Sequence, residues 1–176
     1  MSKSKNQLTL KDHFLRVGFP LFLAIIMVWI VKSKVFTPLE ISNSFMLPTF
    51  KKGDTVYINR LSLAKNLLVG DVVLVRSPLQ KEVYVLARIL GKSGDEIQIK
   101  GREAFRNGSM VSAEIFPTPK NTKLPILPPG KSESDHVTKV TVPEKSLFLL
   151  VDNREMGIDS RELGPISEDL FVGKVW

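Results

Sequence analysis

The densest set of reactive side chains in this 176-residue sequence is Asp152-Asn153-Arg154-Glu155-Met156-Gly157-Ile158-Asp159-Ser160-Arg161. Its two acid/base pairs and one hydroxyl could position a substrate, shift a neighbouring pKa or brace a loop. The preceding apolar run, Phe148 to Val151, reads as a short buried strand, so charge is packed directly against the core. A polar turn tied to itself by Asp and Arg would look the same in isolation. A second polar group, Ser42-Asn43-Ser44-Phe45-Met46-Leu47-Pro48-Thr49, offers hydroxyls and an amide ahead of a Pro-fixed turn, and alone it reads as a loop. With no cysteine and only His13 and His136, the sequence excludes disulfides and thiolate catalysis, and no metal site or cofactor is expected. Any chemistry must use oxygen or amine groups.

The elements that must position these residues begin with an apolar span. Val17 to Val31 carries no charge and is bounded by Arg16, Lys32 and Lys34. With Phe14, Leu15, Val35 and Phe36 it reaches the roughly 17 to 25 residues of a membrane crossing, the flanking cations snorkelling to the interfaces. Lys3, Lys5, Lys11 and Arg16 precede it, which predicts a cytoplasmic N-terminus at 1–13, a transmembrane anchor at 14–36 and an exported domain at 37–176. Lys51 and Lys52 weaken that asymmetry without reversing it. A cleaved secretory signal would need a small-x-small site, for which Lys32-Ser33-Lys34-Val35-Phe36 is a poor substitute. A buried core helix would show a polar face, and none is marked.

At 43% hydrophobic and 24% charged residues, the remainder is globular. The net charge of +7 is scattered among Asp and Glu, which argues against nucleic acid and is equally suited to an anionic lipid surface. Beyond the anchor, β-type runs sit beside Gly-Asp turns: Thr55 to Asn59 after Gly53-Asp54, Val72 to Arg76 after Gly70-Asp71, and Val83 to Leu90 before Gly91 and Gly94-Asp95. Further strands are predicted at Ile97 to Lys100, Val137 to Val142, Leu147 to Val151 and Leu170 to Trp176. Residues 101–139 read as an inserted cap, with a hairpin at Asn107-Gly108 and Pro117, Pro119, Pro125, Pro128 and Pro129 opposing regular structure. The fold class is therefore mostly β, a folded sheet or barrel preceded by one helix.

The series Met46-x-Pro48-Thr49, Gly53-Asp54, Gly70-Asp71-Val72-Val73, Arg88-x-x-Gly91-x-x-Gly94-Asp95, Val142-Pro143-Glu144, Asp152-Asn153-Arg154 and Asp159-Ser160-Arg161 resembles the type I signal peptidases. These are membrane-anchored serine peptidases, and the resemblance runs in unbroken order from the anchor to about Gly164. It implies removal of signal peptides from exported preproteins by a serine nucleophile and a lysine general base, without metal or cofactor. A lysine serves as base only where burial lowers its pKa. The resemblance also implies a groove that takes extended peptide, with donors for the oxyanion.

Transferred residue by residue, the family's nucleophile position falls on Phe45 and its lysine position on Ala87; a serine thought to bond that lysine falls on Gly157. Asn43, two residues before the nucleophile position, is the oxyanion candidate. Ser44 is a fallback nucleophile if a one-residue bulge re-aims it, but Lys81 and Lys92 sit among polar or turn residues where an ammonium stays charged. The expected groove comprises Asn43, Ser44, Phe45, Met46, Val85 and Ala87. Arg88, Asp152, Asn153, Arg154, Asp159, Ser160 and Arg161 form a structural brace, with Asp159 paired to Arg161 or Arg88. The expectation is an impaired peptidase homologue that binds exported peptide or assists a secretion or assembly component; the alternative is an active signal peptidase using Ser44.

Overall fold

Three turns of one design punctuate the strands. In each, a Gly at positive φ (94° at Gly53, 95° at Gly70, 86° at Gly94) precedes an Asp whose N–H donates to the carbonyl three residues back, at 3.1, 3.1 and 2.9 Å. Only Gly takes that backbone cheaply at the third position of a type II turn. The Asp side chain then closes the same turn: Oδ2 of Asp54, Asp71 and Asp95 accepts from the N–H of Lys51, Leu68 and Lys92 at 2.8, 2.9 and 2.8 Å. The repeated Gly-Asp pairs thus fix where strands begin.

The computed structural model describes residues 14–100, 103–112, 114–117, 136–154 and 156–176, and for 30–34 and 136 the backbone only. Lys3, Lys5, Lys11, His13, Glu155, Pro119, Pro125, Pro128 and Pro129 lie outside the described residues. A π-helical turn at Phe14–Gly18 leads into helix α1, Phe19–Val35. Among the described residues no helix is long and apolar enough to cross a membrane. Among the described residues eleven strands follow: β1 Phe36–Glu40, β2 Thr55–Asn59, β3 Val72–Arg76, β4 Tyr84–Lys92, β5 Glu96–Lys100, β6 Glu103–Arg106, β7 Ser109–Met110, β8 His136–Thr141, β9 Ser146–Leu150, β10 Ile166–Ser167 and β11 Phe171–Val175. A one-turn helix α2, Ser160–Leu163, lies between β9 and β10.

The strands form an antiparallel seven-stranded sheet, ordered β1-β2-β11-β3-β4-β9-β10, and a four-stranded sheet, β7-β6-β5-β8. The Gly94-Asp95 turn joins them, since β4 belongs to the first and β5 to the second. The fold is mostly β, as the alternating runs predict. Phe36, read from sequence as the end of the apolar span, is instead the first residue of β1, opposite Asn59. Part of the segment read as a cap is sheet: β6, β7 and the start of β8 lie within 101–139, and β8 pairs with β5. The hairpin falls at Asn107-Gly108, both at positive φ (51° and 77°), as a two-residue type I′ turn requires.

Ile41, Val56, Ile58 and Leu74 form a small buried cluster. Of the two larger clusters, one buries Met46, Leu67, Val73, Val75, Ala87, Ile89, Leu147, Leu149 and Val151, and the other Leu90, Ile97, Ile99, Val142, Phe148 and Leu150. Residues of β9 alternate between them, so this strand is covered on both faces and reads as continuously apolar.

At the junction of the sheets Asp95 accepts from Nε of Arg106 and Nδ2 of Asn107, each at 2.8 Å, besides the Lys92 N–H. Burial pushes its carboxyl up. The Arg106 side chain, the Lys92 N–H, the Asn107 amide and the Arg106 charge together outweigh burial and hold it below the usual carboxylate value. A carboxyl with a depressed folded pKa stabilises fully above its unfolded pKa, and that contribution disappears as pH falls through the folded value. Asp95→Ala is therefore expected to cost about 1–3 kcal/mol at neutral pH. In urea unfolding followed against pH, the parent's advantage should shrink only below about pH 4.

Candidate functional site

Strand β4 organises the site because its two edges are used differently. The Val83 carbonyl accepts from the Ser77 N–H at 2.8 Å, and the Ile89 N–H donates to the Asp71 carbonyl at 2.9 Å. Odd-numbered residues from 83 to 89 thus direct their backbone groups at β3, and even-numbered residues at the opposite edge. On that edge β9 reaches only as far as Leu150, opposite Arg88. Among the described residues no strand covers the N–H and C=O groups of Tyr84 and Leu86. β1 is likewise an outer strand of the sheet.

A cavity of about 520 Å³ opens beside these groups. It brings Leu39 to Asn43, Phe45 and Met46 together with Ser77, Leu79, Gln80 and Val83 to Leu86, and Leu74, Ile158 and Leu163 complete its lining. The walls are mostly apolar, and Glu40 is the charged residue among them. Of the six groove residues expected from sequence, Asn43, Phe45, Met46 and Val85 line this cavity. Ser44 and Ala87 do not.

The loop that carries Ser44 and Phe45 is held from behind. The Asn153 N–H donates to the Phe45 carbonyl at 2.8 Å, and Asn153 Nδ2 donates to the Ser44 carbonyl at 3.0 Å. Asn153 Oδ1 is buried without a hydrogen-bond partner. Ahead of the loop, Asn43 Oδ1 accepts from the Phe45 N–H at 3.1 Å, so the amide faces the loop's own backbone with its acceptor. Phe45 packs on the cluster that contains Met46, Ala87 and Val151, and Ala87 is fully buried there. The positions 45 and 87 therefore lie against one core and present it with hydrocarbon. Neither lysine near Ala87 in sequence is placed to serve it: Lys92 Nζ donates to the Leu67 carbonyl at 2.6 Å, and Lys81 stands exposed in the β3–β4 turn.

Two ion pairs fasten this frame. Arg88 grips Asp152 with two bonds, Nε to Oδ1 at 2.8 Å and Nη2 to Oδ2 at 2.6 Å. Its Nη1 donates to the Gly70 carbonyl at 2.8 Å and its Nη2 also to Thr49 Oγ1 at 3.0 Å; the Thr49 hydroxyl in turn donates to Asp152. Loop 46–50, the Gly70 turn, β4 and the end of β9 thereby meet at one guanidinium. The second pair is Asp159 with Arg161, Nε to Oδ1 at 2.9 Å and Nη2 to Oδ2 at 3.0 Å. Asp159 also accepts from the N–H groups of Val151 and Arg161, capping α2, while Ser160 Oγ accepts from the Leu149 N–H at 2.9 Å. Arg161 Nη2 reaches the Arg154 carbonyl at 3.0 Å. Of the two partners considered for Asp159, Arg161 is the one taken; Arg88 turns to Asp152 instead. Sequence reasoning gave no role to Thr49 or to the Gly70 carbonyl, although both stand in the motif series.

The model of the family described as signal peptidase, peptidase S26, matches residues 14–176. The chain belongs to this family. It is 29% identical to signal peptidase I T of Bacillus subtilis (strain 168) over 181 residues, covering 98% of this chain and 92% of that protein. Signal peptidase I V of the same organism is 30% identical over 82% of this chain and 86% of its own length, and signal peptidase I of Bacillus caldolyticus 30% identical over 89% and 86%. A crystal structure of a signal peptidase I from Enterococcus faecalis V583 superposes with a TM-score of 0.48 at 21% identity, covering 65% of this chain and all of that one.

The side chain of Asp152 is fully buried and that of Arg88 is 12% exposed. Removing the cation leaves a carboxylate in the interior, so Arg88→Ala should lower the unfolding free energy by about 3–5 kcal/mol. An exposed control such as Lys139→Ala, whose partner Glu96 is also exposed, should change it by less than about 1 kcal/mol. Chemical denaturation of both variants in detergent checks the contrast.

Proposed function

We propose that this signal peptidase homologue binds extended segments of exported proteins, signal peptides among them, and cleaves them slowly or not at all. The observation that carries the reading is the pairing of an open, apolar groove with hydrocarbon at both positions where the family places its dyad. An extended peptide added along β4 would use the free Leu86 and Tyr84 backbone groups, with alternate side chains entering the apolar cavity. Phe45 and Ala87 would then lie beneath the bond that an active member cuts. Loss of one member of a coupled catalytic unit lowers turnover by on the order of 10⁴ to 10⁶, and loss of the second adds little.

The same reading takes residues 14–36 as a single-pass anchor, with 1–13 in the cytoplasm and 37–176 exported. Helix α1 alone spans about 25 Å at 1.5 Å per residue, and with the preceding π turn the helical stretch approaches the roughly 30 Å hydrocarbon core. Phe14, Leu15, Val17, Leu21, Phe22, Ile25, Met27 and Trp29 are each more than half exposed, an arrangement that lipid would accommodate. The ligand would be presented at the exported face, alone or with another secretion or assembly component.

Purified full-length protein in detergent, incubated with a preprotein, is expected to bind it and leave it intact, and Ser44→Ala should change neither result. Cleavage by the parent that disappears in Ser44→Ala would instead establish the shifted-register peptidase. External protease added to intact cells should digest the domain after residue 37; complete protection would reverse the orientation.

A further inference from the structure

The face of β4 on which Ala87 lies has a neighbour that no catalytic reading involves. The β4–β9 register pairs Arg88 with Leu150; continued by one residue, it sets Val151 opposite Ala87. Both are fully buried in one cluster with Met46, and Phe45 packs on that cluster. Val151 in turn rests on Gly157. A Cβ built at Gly157 would lie 2.5 Å from Val151 Cγ2, 2.9 Å from Cγ1 and 3.1 Å from Cβ. Those distances are well inside contact, and a β-branched side chain in a packed core has no rotamer into which to retreat. Positions 151 and 157 are therefore complementary: one carries bulk because the other carries none. Phe45 packs on the same cluster to which Ala87 and Val151 belong.

We infer that Val151 is the residue that closes this site to a proton acceptor. Seated on Gly157 and across from Ala87, its side chain fills the space a long side chain at 87 would need, and it removes the room for any hydroxyl at 157 to meet that chain. The inference rests on the peptide-groove reading for its purpose and on packing alone for its geometry. The seal is thus a four-residue unit, Phe45, Ala87, Val151 and Gly157. Placing lysine at 87 would bury an ammonium against valine, a state that burial of charge opposes strongly.

Two readouts on the full chain in detergent test this. The first is thermal unfolding of Ala87→Lys in the parent and in a Val151→Gly/Gly157→Ser background. The seal predicts coupling: the lysine lowers the midpoint by at least about 5 °C less in the second background. An equal loss in both overturns the inference. The second is preprotein cleavage by Phe45→Ser/Ala87→Lys with and without the 151/157 pair. The four-fold variant should exceed the two-fold one by about 100-fold or more, the range of a correctly placed general base. Equal rates overturn the inference, whatever the cause. Binding of a signal peptide to the parent separates the two ideas, since absent binding with the thermal coupling intact would remove the peptide-groove reading and leave the seal.

Discussion

The grip of Arg88 on Asp152 is the constraint on which the site's shape depends. One guanidinium satisfies a fully buried carboxylate, the Gly70 carbonyl and the Thr49 hydroxyl, and so joins the loop that carries Thr49 to β3, β4 and β9. A planar fork is suited to this because its five donors have fixed directions. Asn153, next to Asp152, then holds the Ser44 and Phe45 carbonyls, so the position of the groove wall follows directly from the ion pair. The Asp159–Arg161 pair performs the same service for the segment that follows, tying it to Val151 and Leu149 through Asp159 and Ser160.

Much of this frame can be read in the sequence. β2 and β3 fall on the β-branched runs because each follows a Gly-Asp turn, and that dipeptide supplies both the positive φ and the carboxylate that closes the turn. The Asp152 to Arg161 stretch carries its own signal, since acid and base within a few residues of a buried strand must be paired. What the sequence left open was the choice of partners. Arg88 lies 64 residues from Asp152, and only the β4–β9 register decides that it meets Asp152 rather than Asp159. β10, two residues long, has too little periodicity to be seen, and β1 was hidden because its first residue, Phe36, is as apolar as the helix before it.

Val151 illustrates a different limit. A valine at the end of an apolar strand is unremarkable in sequence, and its meaning arises from contact with Gly157 and from its place opposite Ala87. Phe45 and Ala87 can be noticed by comparison with a family pattern, whereas their packing on one cluster with Met46 and Val151 arises only in the fold. The polar network holds the loop beside the groove, and Phe45 and Ala87 belong to the apolar cluster behind it.

The central claim is that the groove receives peptide along the free edge of β4 without cutting it. Amide hydrogen exchange of the full chain in detergent, with and without a signal peptide, tests it most directly. The account predicts slowed exchange at the Leu86 and Tyr84 amides while the peptide's mass stays unchanged. Unaltered exchange at both amides, or hydrolysis of the peptide, would contradict it.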